Sequence, residues 1–309
     1  MQYWKVQAKH QHGNIMRKCA FLSMDCLDEF EVYDELVEPY LNELGFLVDT
    51  VSWRNTGVDW NLYEMVVIRT PWDYQDAPEA FLSVLEQIES SQAQLQNTLD
   101  IVRWNIDKIY LQELGELGVR LIPTKWHNRL GDTNITKAQI DSFFSAFDTQ
   151  EIIIKPRISA NADNTFWLKA EQDVDLASLN NAFKERDFMV QPFVPEVVEN
   201  GEYSLFYFNG EYSHAILKTP KQNDFRVQEE HGGSLTTVTP DASLLDAANT
   251  CMLAIQSVHT MPLYARLDLV KFNGEFCLME AELIEPSLYF NMDAQSPKRF
   301  ANAIKARLT

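Results

Sequence analysis

Two Asn-Gly dipeptides, Asn209-Gly210 and Asn273-Gly274, each stand between two runs rich in apolar and aromatic residues. A tight two-residue hairpin turn needs positive φ at both central positions, which Asn and Gly tolerate best. The second half of the chain is therefore predicted to form antiparallel sheet. Its strand candidates are 151–156, 165–168, 188–194, 203–208, 211–217, 267–272 and 275–282, and its helix candidates are 242–258 and 297–308.

The first hundred residues follow a different order. An apolar run at 19–24 precedes a helical pattern from Leu36 to Leu44 that ends at Gly45, the expected glycine beyond a helix C-terminus. The segment 46–53 alternates as a strand, and 65–68 is a continuous apolar run typical of a buried parallel strand. With a further helix at 81–88, this β-α order predicts a small open parallel sheet, which binds ligands beyond the carboxyl ends of its strands.

Charge and composition exclude several classes of protein. Among 309 residues, 26 Lys and Arg stand against 45 Asp and Glu, so the net charge of −19 argues against a nucleic-acid partner. No apolar stretch approaches the length of a membrane span, and four cysteines without a C-x-x-C pair favour a reducing cytoplasm. The 11 glycines form neither G-x-G-x-x-G nor a P-loop, and no G-x-S-x-G motif points to a covalent nucleophile.

Three acidic residues interrupt strands that otherwise read as buried. Glu280 and Glu282 are two residues apart, so they share one face of their strand, and the predicted hairpin brings Asp268 alongside. Like charges held this close need a cation, and carboxylate oxygens suit Mg²⁺ that bridges to phosphates. The alternative is a solvated strand face with ordinary exposed acids.

Cationic residues stand at the ends of other predicted strands. Lys155 and Lys218 each follow an apolar run, and Arg226 follows shortly after. A single lysine at a strand end more often only extends its ammonium group into solvent. Together with the three acids, however, these cations would form a clamp for polyphosphate.

Arg69 and Asp73 follow the buried run 65–68, at the sheet edge where open α/β sheets bind ligands. Either they bind an acceptor substrate, with Arg69 on a carboxylate and Asp73 on an ammonium group, or they form a structural ion pair. Trp72, between them, could line a pocket or belong to the core.

An ordered set of motifs over roughly residues 100–300 resembles the ATP-grasp ligases of the glutathione-synthetase-like superfamily. Within that superfamily, three further segments, 69–74, 104–111 and 282–287, are similar to the subfamily that contains the cyclo-ligase of cycloserine biosynthesis, the O-ureido-serine cyclo-ligases. The ordered motifs are Ile154-Lys155-Pro156, Val190-Gln191-Pro192-Phe193-Val194, Gly201-Glu202, Asp224-Phe225-Arg226, Gly232-Gly233, Asp268 and Glu280-Ala281-Glu282 with Pro286.

The resemblance implies a role for each matching position. Residues implied to bind nucleotide are Lys108, Lys155 and Arg226 at the phosphates, Gln191, Phe193 and Val194 at adenine, and Glu202 at the ribose, while its position at a strand end adds Lys218 to the phosphate group. Lys155 and Arg226 are the catalytic cations, Asp268, Glu280 and Glu282 the metal ligands, and Tyr74 joins Arg69 and Asp73 at the acceptor. Glu282 stands where relatives often have Asn, and the loop 157–163 lacks the glycines that usually close over phosphate.

These implications predict an α/β and α+β protein with an ATP-grasp fold. We expect a flexible lead-in at 1–18, an N-terminal α/β acceptor-binding domain at 19–105, a small lid at 106–190 and an antiparallel C-terminal domain at 191–309. The expected cofactors are ATP and Mg²⁺, with two ions per site and Mn²⁺ as a substitute. The expected protein is a cytoplasmic monomer or homodimer that contacts no membrane.

The expected reaction converts a small carboxylate into an acylphosphate, which an amine-type nucleophile then attacks to give an amide-type bond or a ring, with release of ADP and phosphate. Two alternatives stay open at this point: an ATP-gated regulatory protein without turnover, and an ATP-dependent phosphotransferase. The third carboxylate and Arg226 argue against the regulatory protein, because binding alone needs fewer metal ligands.

Overall fold

The computed structural model of the protein describes residues 16–159, 163–221, 226–227 and 232–308. Most of the expected lead-in, the Asp224-Phe225 pair and residues 160–162 of the glycine-poor loop lie outside these ranges. Three sheets organise the rest: one parallel sheet and two antiparallel sheets. The predicted combination of α/β and α+β architecture is confirmed.

The N-terminal sheet has four parallel strands in the order β2-β1-β3-β4. Its first strand begins at Arg17, two residues earlier than the apolar pattern suggested. The helix predicted from Leu36 begins only at Glu38, because Pro39 favours a helix start, while 34–36 form a separate 3₁₀ turn. The elements are β1 (Arg17–Ser23), α1 (Glu38–Glu43), β2 (Phe46–Ser52), β3 (Met65–Thr70), α2 (Pro78–Glu89), β4 (Gln94–Gln96) and α3 (Leu99–Asn105).

The middle sheet has four antiparallel strands in the order β5-β8-β6-β7. The strand candidates 151–156 and 165–168 form β6 and β7, which pair with each other. Helices α5 and α6 pack apolar faces onto this sheet and bury Phe143, Phe183 and Leu179. The elements are α4 (Tyr110–Glu116), β5 (Lys125–His127), α5 (Lys137–Phe147), β6 (Glu151–Pro156), β7 (Phe166–Lys169), α6 (Leu176–Phe183) and β8 (Phe188–Pro192).

The C-terminal sheet has five antiparallel strands in the order β11-β10-β9-β12-β13. Both predicted hairpins are present, with φ of 50° and 81° at Asn209 and Gly210 and of 53° and 84° at Asn273 and Gly274. The elements are α7 (Pro195–Asn200), β9 (Glu202–Phe208), β10 (Glu211–Thr219), β11 (Ser234–Thr237), α8 (Ala242–Val258), β12 (Tyr264–Phe272), β13 (Glu275–Glu282) and α9 (Ser296–Ala306). Across the described ranges, every helix is too short or too polar to cross a membrane.

The segment Leu283–Leu288, which follows β13, has no regular secondary structure, yet most of it is buried. A buried backbone carbonyl needs a hydrogen-bond donor, and here each of six consecutive carbonyls meets one from a side chain. The donors, in carbonyl order from 283 to 288, are Asn97 at 2.7 Å, Tyr264 at 2.7 Å, Trp72 at 2.9 Å, Arg69 at 3.4 Å, Arg266 at 3.4 Å and His214 at 3.1 Å. Both flanking units therefore hold this segment in place.

Asn97 joins the N-terminal sheet to the C-terminal one. Its fully buried amide donates to the carbonyls of Tyr264 and Leu283 and accepts from the Leu263 N–H. We expect Asn97→Ala to lower the free energy of unfolding by about 3 kcal/mol or more, because three buried backbone groups lose their partners. Urea unfolding tests this, with the exposed Asn42→Ala as the matched control. An equal, small effect of the two substitutions would contradict the role given to Asn97.

His214 predicts a pH dependence of stability. Its ring stacks on Phe206, one ring nitrogen faces the Leu288 carbonyl, and burial lowers its pKa to about 4. An unfolded histidine titrates near 6.5, so at intermediate pH the unfolded chain binds more protons and stability falls as the pH falls. Between pH 7.5 and 5, we expect His214→Gln to lose about 2 kcal/mol less stability than the wild type. Parallel pH profiles of the two proteins in urea unfolding would contradict this.

Candidate active site

One cavity between the three sheets collects almost every residue that the sequence proposed for the site. Twelve of those fourteen residues line it: Tyr74, Lys108, Lys155, Gln191, Phe193, Val194, Glu202, Lys218, Arg226, Asp268, Glu280 and Glu282. Arg69 and Asp73 do not line it. These residues are spread over more than 200 positions of the sequence, so the fold brings together side chains that are remote along the chain.

Strand register explains how the three acids come together. Asp268 on β12 lies directly opposite Glu280 on β13, and Arg266 lies opposite Glu282. Residues two apart on a strand share a face, so all four side chains lie on the cavity side of the hairpin. The three carboxylates are therefore near neighbours, with a guanidinium among them.

Protein cations neutralise these acids. Lys218 bridges Glu202 at 2.6 Å and Asp268 at 3.3 Å, and Lys108 lies 2.8 Å from Glu280. Arg266 is hydrogen bonded to both Asp268 and Glu282. Within the described part of the chain, no group of three or more acidic, His or Cys side chains is arranged to hold a metal ion as it stands.

The acids differ in how burial and neighbouring charges balance. Burial would raise the pKa of Asp268 and of Glu280, but adjacent cations outweigh it and hold both below their usual range. For Glu282, burial and the nearby carboxylates together raise the pKa to about 8 despite Arg266. Additional positive charge in the cavity would stabilise the ionised form of a carboxyl group whose pKa is raised in this way.

Lys155 differs from the other lysines of the cavity. Burial lowers its pKa, and its ammonium group forms no ion pair within 4 Å to any acid in the described ranges. Lys108, in contrast, is tied to Glu280 and to the Ser159 carbonyl, and Lys218 to two acids. Lys155 is thus the lysine of the cavity that most needs an anionic ligand.

The end of β8 and the residues that follow it form another part of the cavity lining. Gln191 donates to Thr124, and Phe193 stacks on Trp167 with ring centroids 4.3 Å apart. Val194 caps helix α7, and Glu202 begins β9 shortly after it. This apolar wall with one acid at its end is suited to a planar heterocycle that carries hydroxyl groups.

Arg69 and Asp73 bind other residues than expected. Arg69 is 1% exposed, and its guanidinium binds Asp34 at 2.8 Å and the Pro286 carbonyl. Asp73 accepts from the indole of Trp53 and from Arg54, each at 2.7 Å. They do not pair with each other, and neither reaches the cavity. The buried Asp34 occupies the guanidinium group of Arg69. The further contact of Arg69 with the Pro286 carbonyl holds the backbone that forms the wall of the site.

Among the charged residues that line the cavity, sequence reasoning left two without a role, Arg266 and Glu285. The signal for Arg266 was present, because it stands two residues before Asp268 on a strand and so shares its face. Glu285 follows the irregular backbone after β13, and no periodicity predicts where such a side chain points. Its carboxylate accepts a hydrogen bond from the Tyr74 hydroxyl, and burial raises its pKa to about 7.

The donor set fits a divalent metal in type. Asp268, Glu280 and Glu282 supply hard carboxylate oxygens on one surface of the cavity. The lysine and arginine contacts of these acids would be exchanged for contacts with the metal. The high pKa of Glu282 agrees with a site that is short of positive charge.

Two parts of the chain match families of known proteins. Residues 19–97 match the family described as the N-terminal domain of D-cycloserine synthetase DcsG, and residues 120–256 match the ATP-grasp domain of prokaryotic glutathione synthetase. The chain is 29% identical to the cycloserine biosynthesis protein DcsG of Streptomyces lavendulae, over 86% of this chain and 90% of that protein. The second family covers Lys155, Glu202 and Arg226 and ends before Asp268.

Solved structures agree with these matches. The crystal structure of D-cycloserine synthetase DcsG superposes with a TM-score of 0.82 at 26% identity and covers 94% of this chain and all of that one. D-alanine–D-alanine ligase from Bacillus anthracis gives 0.65 at 13% identity over 94% and 96%, a likeness of fold. ATP-grasp ligases use ATP with divalent metal ions. The chain has the ATP-grasp fold and is similar in sequence and structure to the ADP-forming ATP-grasp ligases, among them the cycloserine synthetase DcsG.

Proposed function

We propose that the protein activates a small carboxylate substrate as an acylphosphate at the cavity and joins it to an amine-type nucleophile. The nucleophile belongs either to a second molecule or, as the name of the cycloserine relative suggests, to the same molecule, in which case a ring closes. The observation that carries this proposal is that one cavity holds three carboxylates on facing strands together with Lys155, a partly buried lysine that forms no ion pair with any acid of the described ranges.

In this proposal the nucleotide lies along the wall from Val194 to Lys155. The backbone at Gln191–Val194 binds adenine, Glu202 binds the ribose hydroxyls, and Lys108, Lys155, Lys218 and Arg226 bind the phosphates. Asp268, Glu280 and Glu282 would hold two Mg²⁺ ions, for which Mn²⁺ can substitute, and these ions would offset phosphate charge. Lys155 and Arg226 stabilise the charge that develops as the substrate carboxylate takes the γ-phosphoryl group.

The rest of the reaction needs positioning rather than a protein nucleophile. The N-terminal unit at 19–105 would present the acceptor, and the unit at 106–190 would cover the phosphates. Displacement of phosphate from the acylphosphate then forms the new bond. A screen for ADP release in the presence of Mg²⁺, across amino acids and dipeptides, tests the proposal, because a regulatory ATP-binding protein would release no acceptor-dependent ADP.

Lys155→Ala should weaken ATP binding about tenfold to a hundredfold, because a charge-assisted contact with phosphate is lost in a partly dry site. Isothermal titration calorimetry with ATP and Mg²⁺ measures this directly. The exposed Lys298→Ala removes an equal charge from the surface and is the control. Equal ATP affinity in the two variants would remove Lys155 from the phosphate site.

Glu280→Gln should lower acceptor-dependent ADP release about a hundredfold or more, because a metal ligand loses its charge. The free energy of unfolding should fall by about 1 kcal/mol, since Lys108 loses its counter-ion. Glu275→Gln, on the exposed end of the same strand, is the control for both measurements. Full turnover in the Glu280 variant would rule out Glu280 as a metal ligand.

A further inference from the structure

The loop after β6 is anchored at its first residue. Arg157 follows the last residue of β6, and its guanidinium group binds both oxygens of Asp107, from Nε at 2.8 Å and from Nη2 at 2.6 Å. The third nitrogen, Nη1, donates to Asp187 at 3.1 Å. Two carboxylates therefore use all three nitrogens of one arginine. A bidentate contact of this kind fixes orientation as well as distance, because the guanidinium group is planar and rigid.

The two acids come from distant parts of the chain. Asp107 lies in the connection between α3 and α4, where it also accepts from the Ile109 N–H at 2.9 Å. Asp187 stands directly before β8, and its second carboxylate oxygen accepts from the Arg129 N–H at 2.8 Å. The Asp187 carbonyl accepts from the Arg157 N–H at 2.9 Å. Arg157 thus joins the connection between α3 and α4 to the middle sheet.

Lys108, the neighbour of Asp107, reaches the cavity from this connection. Its backbone N–H donates to the Arg157 carbonyl at 3.0 Å. Its ammonium group donates to the Ser159 carbonyl at 2.8 Å and lies 2.8 Å from the Glu280 carboxylate. Together with the ion pair between Arg157 and Asp107, these contacts set the direction in which the Lys108 side chain points.

Arg157 and Asp107 do not line the cavity, whereas Lys108 and Ser159 do. Only 14% of the Arg157 side chain is exposed, so solvent screens its ion pairs less than it screens pairs on the surface. The hydrogen bond to Asp107, with the charges of both neighbouring acids, raises the pKa of the guanidinium group. Arg157 therefore acts on a ligand of the cavity through the residues that it holds.

This anchor belongs to a loop without glycine. Glycine lets a backbone approach phosphate closely because it has no side chain, and the segment 157–163 has none. Charged side chains then carry more of the contact with phosphate. A lysine is a point charge on a flexible stem, and it contributes more when its position is fixed before the ligand binds.

We propose that Arg157 is a positioning residue for nucleotide binding: by holding Asp107, it fixes the ammonium group of Lys108 where the phosphates of ATP bind. This inference rests on the proposed function, in which Lys108 binds phosphate, and it adds the residue that orients this lysine. The contact with Asp187 ties the same guanidinium group to the middle sheet. Lys108 therefore takes its position relative to β6, the strand that carries Lys155.

The test compares ATP with adenosine in isothermal titration calorimetry with Mg²⁺. Adenosine has the base and the ribose without the phosphates, so its affinity does not depend on Lys108. Arg157→Ala should raise the dissociation constant of ATP about fivefold or more and leave that of adenosine within about twofold. Arg157→Lys keeps the charge and loses the bidentate contact, so its ATP affinity should lie between those of the wild type and Arg157→Ala.

Arg186→Ala is the matched control, because Arg186 lies in the same unit and forms an exposed ion pair with Asp163. It should leave both dissociation constants unchanged. Asp107→Asn retains an acceptor for the Ile109 N–H and should weaken ATP in the same direction as Arg157→Ala. The double variant of Asp107 and Arg157 should bind ATP no more weakly than Arg157→Ala, because both substitutions remove one contact.

The remaining outcomes separate this inference from the proposed function. Loss of affinity for both ligands in Arg157→Ala would overturn the inference, because a loosened middle sheet weakens the whole site. Unchanged ATP affinity would also overturn it. If Arg157→Ala does not fold, Arg157→Lys and Asp107→Asn give the same comparison. Lys108→Ala should weaken ATP and leave adenosine unchanged; if it leaves both unchanged, the phosphate role of Lys108 in the proposed function fails, and this inference fails with it.

Discussion

The satisfaction of six consecutive carbonyls between Leu283 and Leu288 is the constraint on which the site depends. An irregular buried segment exposes backbone acceptors that water cannot reach, and each costs free energy unless a donor is supplied. Here side chains supply all six, three from the N-terminal unit and three from the C-terminal sheet. The segment can therefore leave the sheet and still carry Glu285 into the cavity at a defined position.

The charges of the cavity form a second level of organisation. Five acids and five cations line it, and most of them neutralise one another across β9, β10, β12 and β13. Lys218 is the clearest case, because it links the acid proposed for the ribose with one proposed for the metal. Within the described ranges, Lys155 and Glu285 form none of these ion pairs. These two groups carry opposite charges, while the other four acids each have a cation within 4 Å.

Sequence patterns predicted the sheets and hairpins because these depend on local rules: period-two alternation, Asn-Gly turns and the β-α order. The meeting of Asp268 with Glu280 followed from the same rules. The partner of Arg69 did not, because Asp34 is 35 residues away in a turn that only tertiary packing brings near. The reasoning that crowded acids require a metal did not foresee that Lys108 and Arg266 neutralise them. Strand periodicity gives no information on which cations reach across an interface.

The donor pattern along Leu283–Leu288 limits how this fold can be recombined. Arg69, Trp72 and Asn97 belong to the N-terminal unit, while the carbonyls that they satisfy follow the last strand of the C-terminal sheet. A chimera that joins this C-terminal sheet to a foreign N-terminal unit would leave three buried carbonyls without hydrogen-bond donors, unless the foreign unit supplied equivalent ones. The wall of the substrate site therefore depends on both halves of the chain, and a change in one half has to remain compatible with the other.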